Sequence, residues 1–517
     1  LGGSRAAGEL TLSIDPRTPV LIGVAQLANK DDDRIVHPVE LIAEAVEAAV
    51  VDAGGSGAPL GAVGKVYATP LSVFSTDDAP SALVERFGLD VRDTYESRYS
   101  GASPQRMLAD ACRSMQDGRL DAALIVGGVA EASVRRARAL GIDPPAPPTA
   151  MWSQGSTGDR SERRMREGYR PSDRFAEMHT GGQLPVHMFS MLESAMAAAA
   201  GRTPAEHRTE LGRLMARFTE VAATRPDLAW FPTARTPDDI AGVRPDNRLV
   251  TEHLTKLMCS FPTVDLAAAV IVCTTECADR LGIATDRRVH PWSVAAAPDV
   301  PPSQWPSLDR SPAMGVALET ALAHAGLGVD DIAAFDLYSC FPAAVELALG
   351  ALGLALDDPR PATLTGGLPY FGGPGASYSL HGIVSMVERC RRFPDEHGLV
   401  VGLGGMPNDF AGVVLSATPP STPRFVEVEA PSVDNVPTVF EWNGPARCEA
   451  ATLGYGADGH VQVAPLLARV DEGAALGARI GARPHPDLVL DDLAGTDLVG
   501  STVEMVTVDE AVYWRPV

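Results

Sequence analysis

Two kinds of apolar segment alternate along this 517-residue chain. Continuous apolar runs, such as PVLIGVAQL from Pro19 and TVDLAAAVIVCT from Thr263 to Thr274, read as strands covered on both faces. Segments with apolar residues three and four apart lie between them. HPVELIAEAVEAAVVDAGG is one, an amphipathic helix ending at Gly54-Gly55, where helices commonly cap. KVYATPLSVF then reads as a strand, SALVERFGL as a short helix and DTYESRYS as a polar strand. Beyond residue 288 the same alternation returns: VHPWSVAAA, the helix SPAMGVALETALAHAGL, the strand AAFDLYS and the helix PAAVELALGALG. Strands interleaved with helices predict a layered α/β architecture with mostly parallel sheets.

One unit occurs twice. Gly101-Ala102-Ser103 opens GASPQRMLADACRSMQDGRLDAALIVGG, and Gly375-Ala376-Ser377 opens GASYSLHGIVSMVERCRRFPDEHGLVVGLGG. Each is a helix running into a buried strand and a glycine pair. A repeat this long implies two similar α/β halves rather than a solenoid.

The pattern breaks twice. Residues 141–262 are rich in Pro, Arg, Met and aromatics, with helices PVHMFSMLESAMAAAAG and PAEHRTELGRLMARFTEVAA, and read as a helical loop domain. TPPSTP at 418–423 reads as a linker, and the short alternating runs of 424–517 as a small, OB-like β domain. The expected organisation is a disordered segment 1–18, an N-terminal half from 19–140 and 263–280, the loop domain, a C-terminal half at 281–417, the linker and the β domain.

Composition narrows the chemistry. The formal charge is −23, and residues 424–517 alone carry 15 acids against 6 bases, so nucleic acid and anionic membrane are not expected partners. No apolar run is long enough to cross a membrane, and LGGSRAAGELTLSIDPR has no signal-peptide core, so a cytoplasmic protein is expected. The seven cysteines read as reduced thiols. Cys273 and Cys277 have no His or Cys pair at metal spacing beside them, so no metal site is expected.

Four turns gather candidate residues where buried strands end, the place such folds hold ligands. Tyr99, Ser100 and Ser103 flank the first GAS, although Ser103 also suits a plain helix cap. Tyr338, Ser339 and Cys340 end AAFDLYS, ahead of Phe341-Pro342. Gly366 to Gly375 holds five glycines, which serve close approach of backbone to ligand or simply positive φ. Gly402-Leu403-Gly404 leads to Asn408. His381 is the candidate base, and a core histidine is the plainer reading. Arg163, Arg164 and Arg166 belong to the basic cluster that could dock phosphates.

Two halves, an insertion and four glycine-flanked turns resemble the thiolase superfamily over about Pro19 to Ala417, with its five-layered α-β-α-β-α fold. GGVAEAS at Gly127 to Ser133 resembles that family's GGxExxS, and VDLAAAVIV its DGAAAVxL strand. The nearest group it resembles is actinobacterial thiolase-like proteins of the acetyl-CoA acetyltransferase kind, some with an extra C-terminal domain. The resemblance implies acyl transfer to coenzyme A, in lipid metabolism. It places the nucleophile at Tyr99, or Ser100, and the oxyanion-hole turn at Tyr338-Ser339-Cys340-Phe341. The Gly-His-Pro turn falls on Gly372-Gly373-Pro374 and the Cys-x-Gly turn on Gly402-Leu403-Gly404. All four working side chains are absent at those positions, so a CoA- or acyl-CoA-binding protein with little or no thiolase activity is expected, without other cofactors. The alternatives are an acyltransferase using Ser100, Tyr99 and His381, or a scaffold acting through its C-terminal domain. The strand Asp93 to Ser100, where thiolases pair, is polar, which favours a monomer over a dimer.

Overall fold

The computed structural model describes residues 14–55, 57–71, 78–145, 175–182, 184–429 and 435–517. Residues 1–13 of the expected disordered segment lie outside these, as do Arg163, Arg164 and Arg166.

The first sheet has the order β1 (Pro19–Ala28), β5 (Asp265–Thr274), β4 (Ala122–Ala130), β2 (Lys65–Ala68) and β3 (Asp93–Glu96). The second runs β10 (Arg424–Glu427), β6 (His290–Pro298), β9 (Asp409–Ser416), β8 (His397–Gly404) and β7 (Ile332–Asp336). Between them lie α3 (Ser103–Gln116) and α9 (Tyr378–Arg392), which follow the two GAS turns. Helices α1 (Pro38–Asp52) and α2 (Ala79–Phe87) cover the outer face of the first sheet, and α7 (Pro312–Ala325) and α8 (Pro342–Leu352) that of the second. The result is a five-layered α-β-α-β-α body. Its repeat is the central layer, where Met107, Leu108 and Cys112 meet Leu380, Ile383 and Val384 among strand residues of both sheets. Because β4, β5, β8 and β9 have helices on both faces, all their positions are buried except His397. That double cover is why their sequences are continuous apolar runs.

The sheets are mixed rather than mostly parallel. In the first, β5 is antiparallel to both β1 and β4; in the second, β9 is antiparallel to both β6 and β8. β8 and β9 form a tight hairpin, and the long insertion brings the chain back beside the end of β4, where Ala130 faces Asp265, so that β5 runs the opposite way; apolar content distinguishes neither. The two family-like motifs meet at this join. Asp265, fully buried at the start of β5, accepts hydrogen bonds from Ser133 Oγ (2.7 Å) and N (2.9 Å) of α4 (Glu131–Ala139) and from Asn29 Nδ2 (3.0 Å), and pairs with Arg136 of α4.

The loop region contributes α5 (Pro185–Ala199) and α6 (Pro204–Ala223). Helix α6 starts with a reciprocal Thr203–Glu206 capping box. After residue 423 the chain first adds β10 to the second sheet, so Arg424–Glu427 belongs to the core and not to the small β domain. The remainder forms a closed five-stranded barrel of β11 (Gly444–Ala451), β12 (Leu466–Val470), β13 (Arg479–Pro484), β15 (Ala511–Pro516) and β14 (Thr502–Val508). Leu466, Ile480, Met505 and Trp514 fill its interior. Arg479, 1% exposed, pairs with Glu449 on β11 and reaches out of the barrel to donate to the carbonyls of Ser303 (2.8 Å) and Trp305 (2.9 Å). A buried guanidinium needs all of these acceptors, and they clamp the barrel to the core.

Candidate functional site

A cavity of about 560 Å³ lies where the four turns converge. Tyr99, Ser100 and Gly101, before α3, form one side, with Leu403, Gly404 and Gly405 at the end of β8. Tyr338, Cys340 and Phe341, between β7 and α8, form the next, and Gly373 and Gly375 the third. The loop region closes it with Leu184, Val186 and Phe189 of α5 and its approach, and with Val250, Cys259, Ser260 and Pro262. Among the described residues, none that lines it is charged. The space is apolar, walled by the Phe189 and Phe341 rings, whose centroids are 5.0 Å apart, with a few hydroxyls and thiols.

Ser100 is 2% exposed, and its hydroxyl donates to Asp409 Oδ2 at 2.5 Å. Asp409 also binds Arg106 through Nε (3.1 Å) and Nη2 (2.6 Å), and Arg98 at 2.7 Å. Asp409 is thus shared by two guanidiniums and Ser100, and the contact holds the Ser100 hydroxyl in place. Burial, with a smaller contribution from Glu131, pushes the Tyr99 phenol up, and it stays protonated. Burial likewise raises Cys340 and pushes Cys259 up to about 12, so both remain thiols.

His381 does not serve Ser100. It is fully buried in α9, with Nδ1 3.1 Å from Gln26 Oε1, and it does not line the cavity. Burial first, then the nearby Arg225, lower it to about 3, so it is neutral. Three other candidates are structural. Ser103 begins α3 at N1, not as the cap, and donates to Arg98 O at 2.9 Å. Ser339 Oγ accepts from Leu368 N at 3.2 Å, and Asn408 Oδ1 accepts from Met406 N at 3.1 Å. In the glycine-rich turn, Gly366, Gly367, Gly372 and Gly375 have positive φ, so turn geometry accounts for most of them.

Gly373 and Gly402 are glycines for a different reason. A Cβ on Gly373 would lie 2.4 Å from Ser260 Oγ; on Gly402 it would lie 2.6 Å from Gln105 Oε1 and 2.8 Å from Gly101 O. Neighbouring groups occupy the volume a side chain would need. Asp409, Cys259, Ser260 and Phe189 escaped the sequence reading. Asp409 lay just past the glycine turn in MPNDF, where a lone acid heading an apolar strand was a usable signal; nothing local marked the others.

The same layering, with the barrel and loop region, is found in a monomeric SCP2-thiolase-like protein type 1 from Mycobacterium smegmatis. That protein is 27% identical, with a TM-score of 0.80 over 98% of this chain and all of that one. The chain belongs to the thiolase-like superfamily. An acetyl-CoA acetyltransferase from Syntrophomonas wolfei (17% identity, TM-score 0.57) matches over 78% of this chain and all of its own length. Human mitochondrial 3-ketoacyl-CoA thiolase in complex with CoA (14%, TM-score 0.56) matches over 77% of this chain and 98% of its own. At these identities the latter two share the fold alone. No family model and no curated protein matches the sequence.

Proposed function

We propose that this thiolase-fold protein binds CoA thioesters, or a related acyl ligand, with the acyl group in the cavity and with little or no ordinary thiolase turnover. The observation that carries the second half is the filling of the space at Gly373 and Gly402 by Ser260 and Gln105. The residues aligned with the family's histidine and acid/base cysteine are glycines, and no side chain fits there without displacement. Tyr99 stands at the nucleophile position as a protonated phenol, and Ser100 is held by Asp409. Losing nucleophile and proton-transfer groups together removes effects of about 10²- to 10⁴-fold for acid-base groups alone.

The first half rests on shape and polarity. An uncharged cavity lined by Phe189, Phe341, Leu184, Val186 and Leu368 suits an acyl chain, which gains roughly 0.8 kcal/mol per buried methylene. Calorimetric titration of the full chain with CoA, acetyl-CoA and longer acyl-CoAs tests this. Affinity should rise by up to about fourfold per methylene until the cavity is full. No heat with any of them at millimolar concentration would sink the binding half, and acetoacetyl-CoA cleavage at ordinary thiolase rates would sink the other. The −23 charge leaves the nucleotide phosphates dependent on local basic groups, for which Arg163, Arg164 and Arg166 remain the expectation.

A further inference from the structure

A second polar centre lies about one helical turn behind the cavity wall. Glu193 follows the cavity residue Phe189 along α5, Glu346 lies in the first turns of α8, whose N-cap is the cavity residue Phe341, and His207 faces both from α6. The Glu193 and His207 side chains are 0% exposed and that of Glu346 10%. His207 Nε2 lies 2.8 Å from Glu193 Oε2 and 3.6 Å from Glu346 Oε2. One imidazole nitrogen carries one proton and satisfies one acceptor. Glu193 Oε1 and Glu346 Oε2 are buried without a hydrogen-bond partner. Two carboxylates therefore face at most one imidazolium among the buried apolar residues Leu192, Leu211, Val345 and Leu349 of the same helices. Such a group is costly unless a cation or a shared proton completes it.

We propose that Glu193, His207 and Glu346 bind one divalent cation, zinc by the mix of an imidazole and two carboxylates, and that it staples α5 and α6 to α8. The charges then close: two carboxylates, a neutral imidazole and a dication sum to zero, and the orphaned oxygens gain a partner. The spacing also fits. Donors about 2.1 Å from one ion stand at most roughly 4.2 Å apart. The two measured separations are within that limit, and the whole donor set lies within 4.8 Å, so small side-chain rotations complete the site. The expectation of no metal rested on ligands close in sequence, whereas these come from three helices. Because Phe189 lies on α5 and Phe341 is the N-cap of α8, the ion would also fix the separation of the cavity's two aromatic walls.

Elemental analysis of the full-length protein, purified without tags and refolded with Zn²⁺ before exhaustive dialysis, should find about one zinc per chain. Zinc should raise the thermal midpoint, since it binds the folded chain. The Glu193→Gln/Glu346→Gln variant should lose both the zinc and the shift while keeping a folded circular-dichroism spectrum. X-ray absorption of the zinc-loaded wild type should show nitrogen and oxygen donors only, which keeps the proposal testable if the variant does not fold. Less than about a tenth of an equivalent of zinc in the wild type, zinc retained by the double variant, or sulfur donors in the spectrum would overturn it. The first of those outcomes would leave a proton shared between the carboxylates.

Discussion

At Gly373 the choice of glycine follows from the packing of a whole turn. Gly373 N donates to Phe261 O at 2.8 Å, which draws the Ser260–Phe261 backbone against the glycine and brings Ser260 Oγ to 2.4 Å from where a Cβ would be. The substitution Gly373→His therefore meets a volume that is already filled. We expect it to cost about 1–3 kcal/mol as an overpacking change, read as a lower denaturation midpoint, with no gain in thioester cleavage. Adding Ser260→Ala should recover part of the loss, because it removes the nearest obstructing atom. An unchanged midpoint accompanied by new acetoacetyl-CoA cleavage would show that the turn can reopen. Ser100 makes the same point in reverse: it lines the cavity, but its hydroxyl is tied to Asp409, which is also committed to Arg98 and Arg106.

At the scale of elements, helices and strands that are covered on both sides carry histidines that have lost their water. His187 on α5 and His290 at the start of β6 are lowered to about 4, and His381 in α9 to about 3, in each case chiefly by burial. The unfolded chain holds these groups near 6.5, so below that pH the unfolded state binds more protons than the folded one. These three histidines leave stability unchanged above about pH 6.5 and lower it as the pH drops toward 4. His381 alone would account for up to about 2 kcal/mol at pH 5. Urea midpoints measured from pH 7 to pH 5 should decline, and the decline should be shallower in His381→Gln. Midpoints that stay constant over this range would contradict the buried, neutral assignment.

At the scale of the whole molecule, the barrel and loop region act on the cavity together. Val250 lines the cavity, and its carbonyl accepts from Tyr455 N of the barrel segment at 2.9 Å, so the barrel holds part of the wall in place. The edge strand β3 is short and carries Asp93 and Glu96, and Tyr95 is 45% exposed on it. Short, charged edges resist edge-to-edge pairing. We therefore expect a monomer, with a light-scattering mass near the 54.3 kDa of one chain; a mass twice that value would overturn the expectation. Among the described residues, no helix is long and apolar enough to cross a membrane.

Much of the layering was legible in local pattern. Continuous apolar runs marked the doubly covered strands, 3.6-residue periodicity marked the helices, and the repeated GAS unit marked the central layer, because burial acts on each segment through its own period. Local pattern also located the turns holding Tyr99, Tyr338, Gly373 and Gly402, since strand ends announce themselves by glycine and proline. It carried no information on which groups those turns would meet. Ser100 meets Asp409, Gly373 meets Ser260, and His207 meets Glu193 and Glu346 only after segments far apart in the chain have closed on one another. Strand direction and the β10 pairing were decided in the same way, by chain return rather than by residue type. Close packing settles such partnerships, because each volume can be filled once, and it was the tertiary structure that filled them.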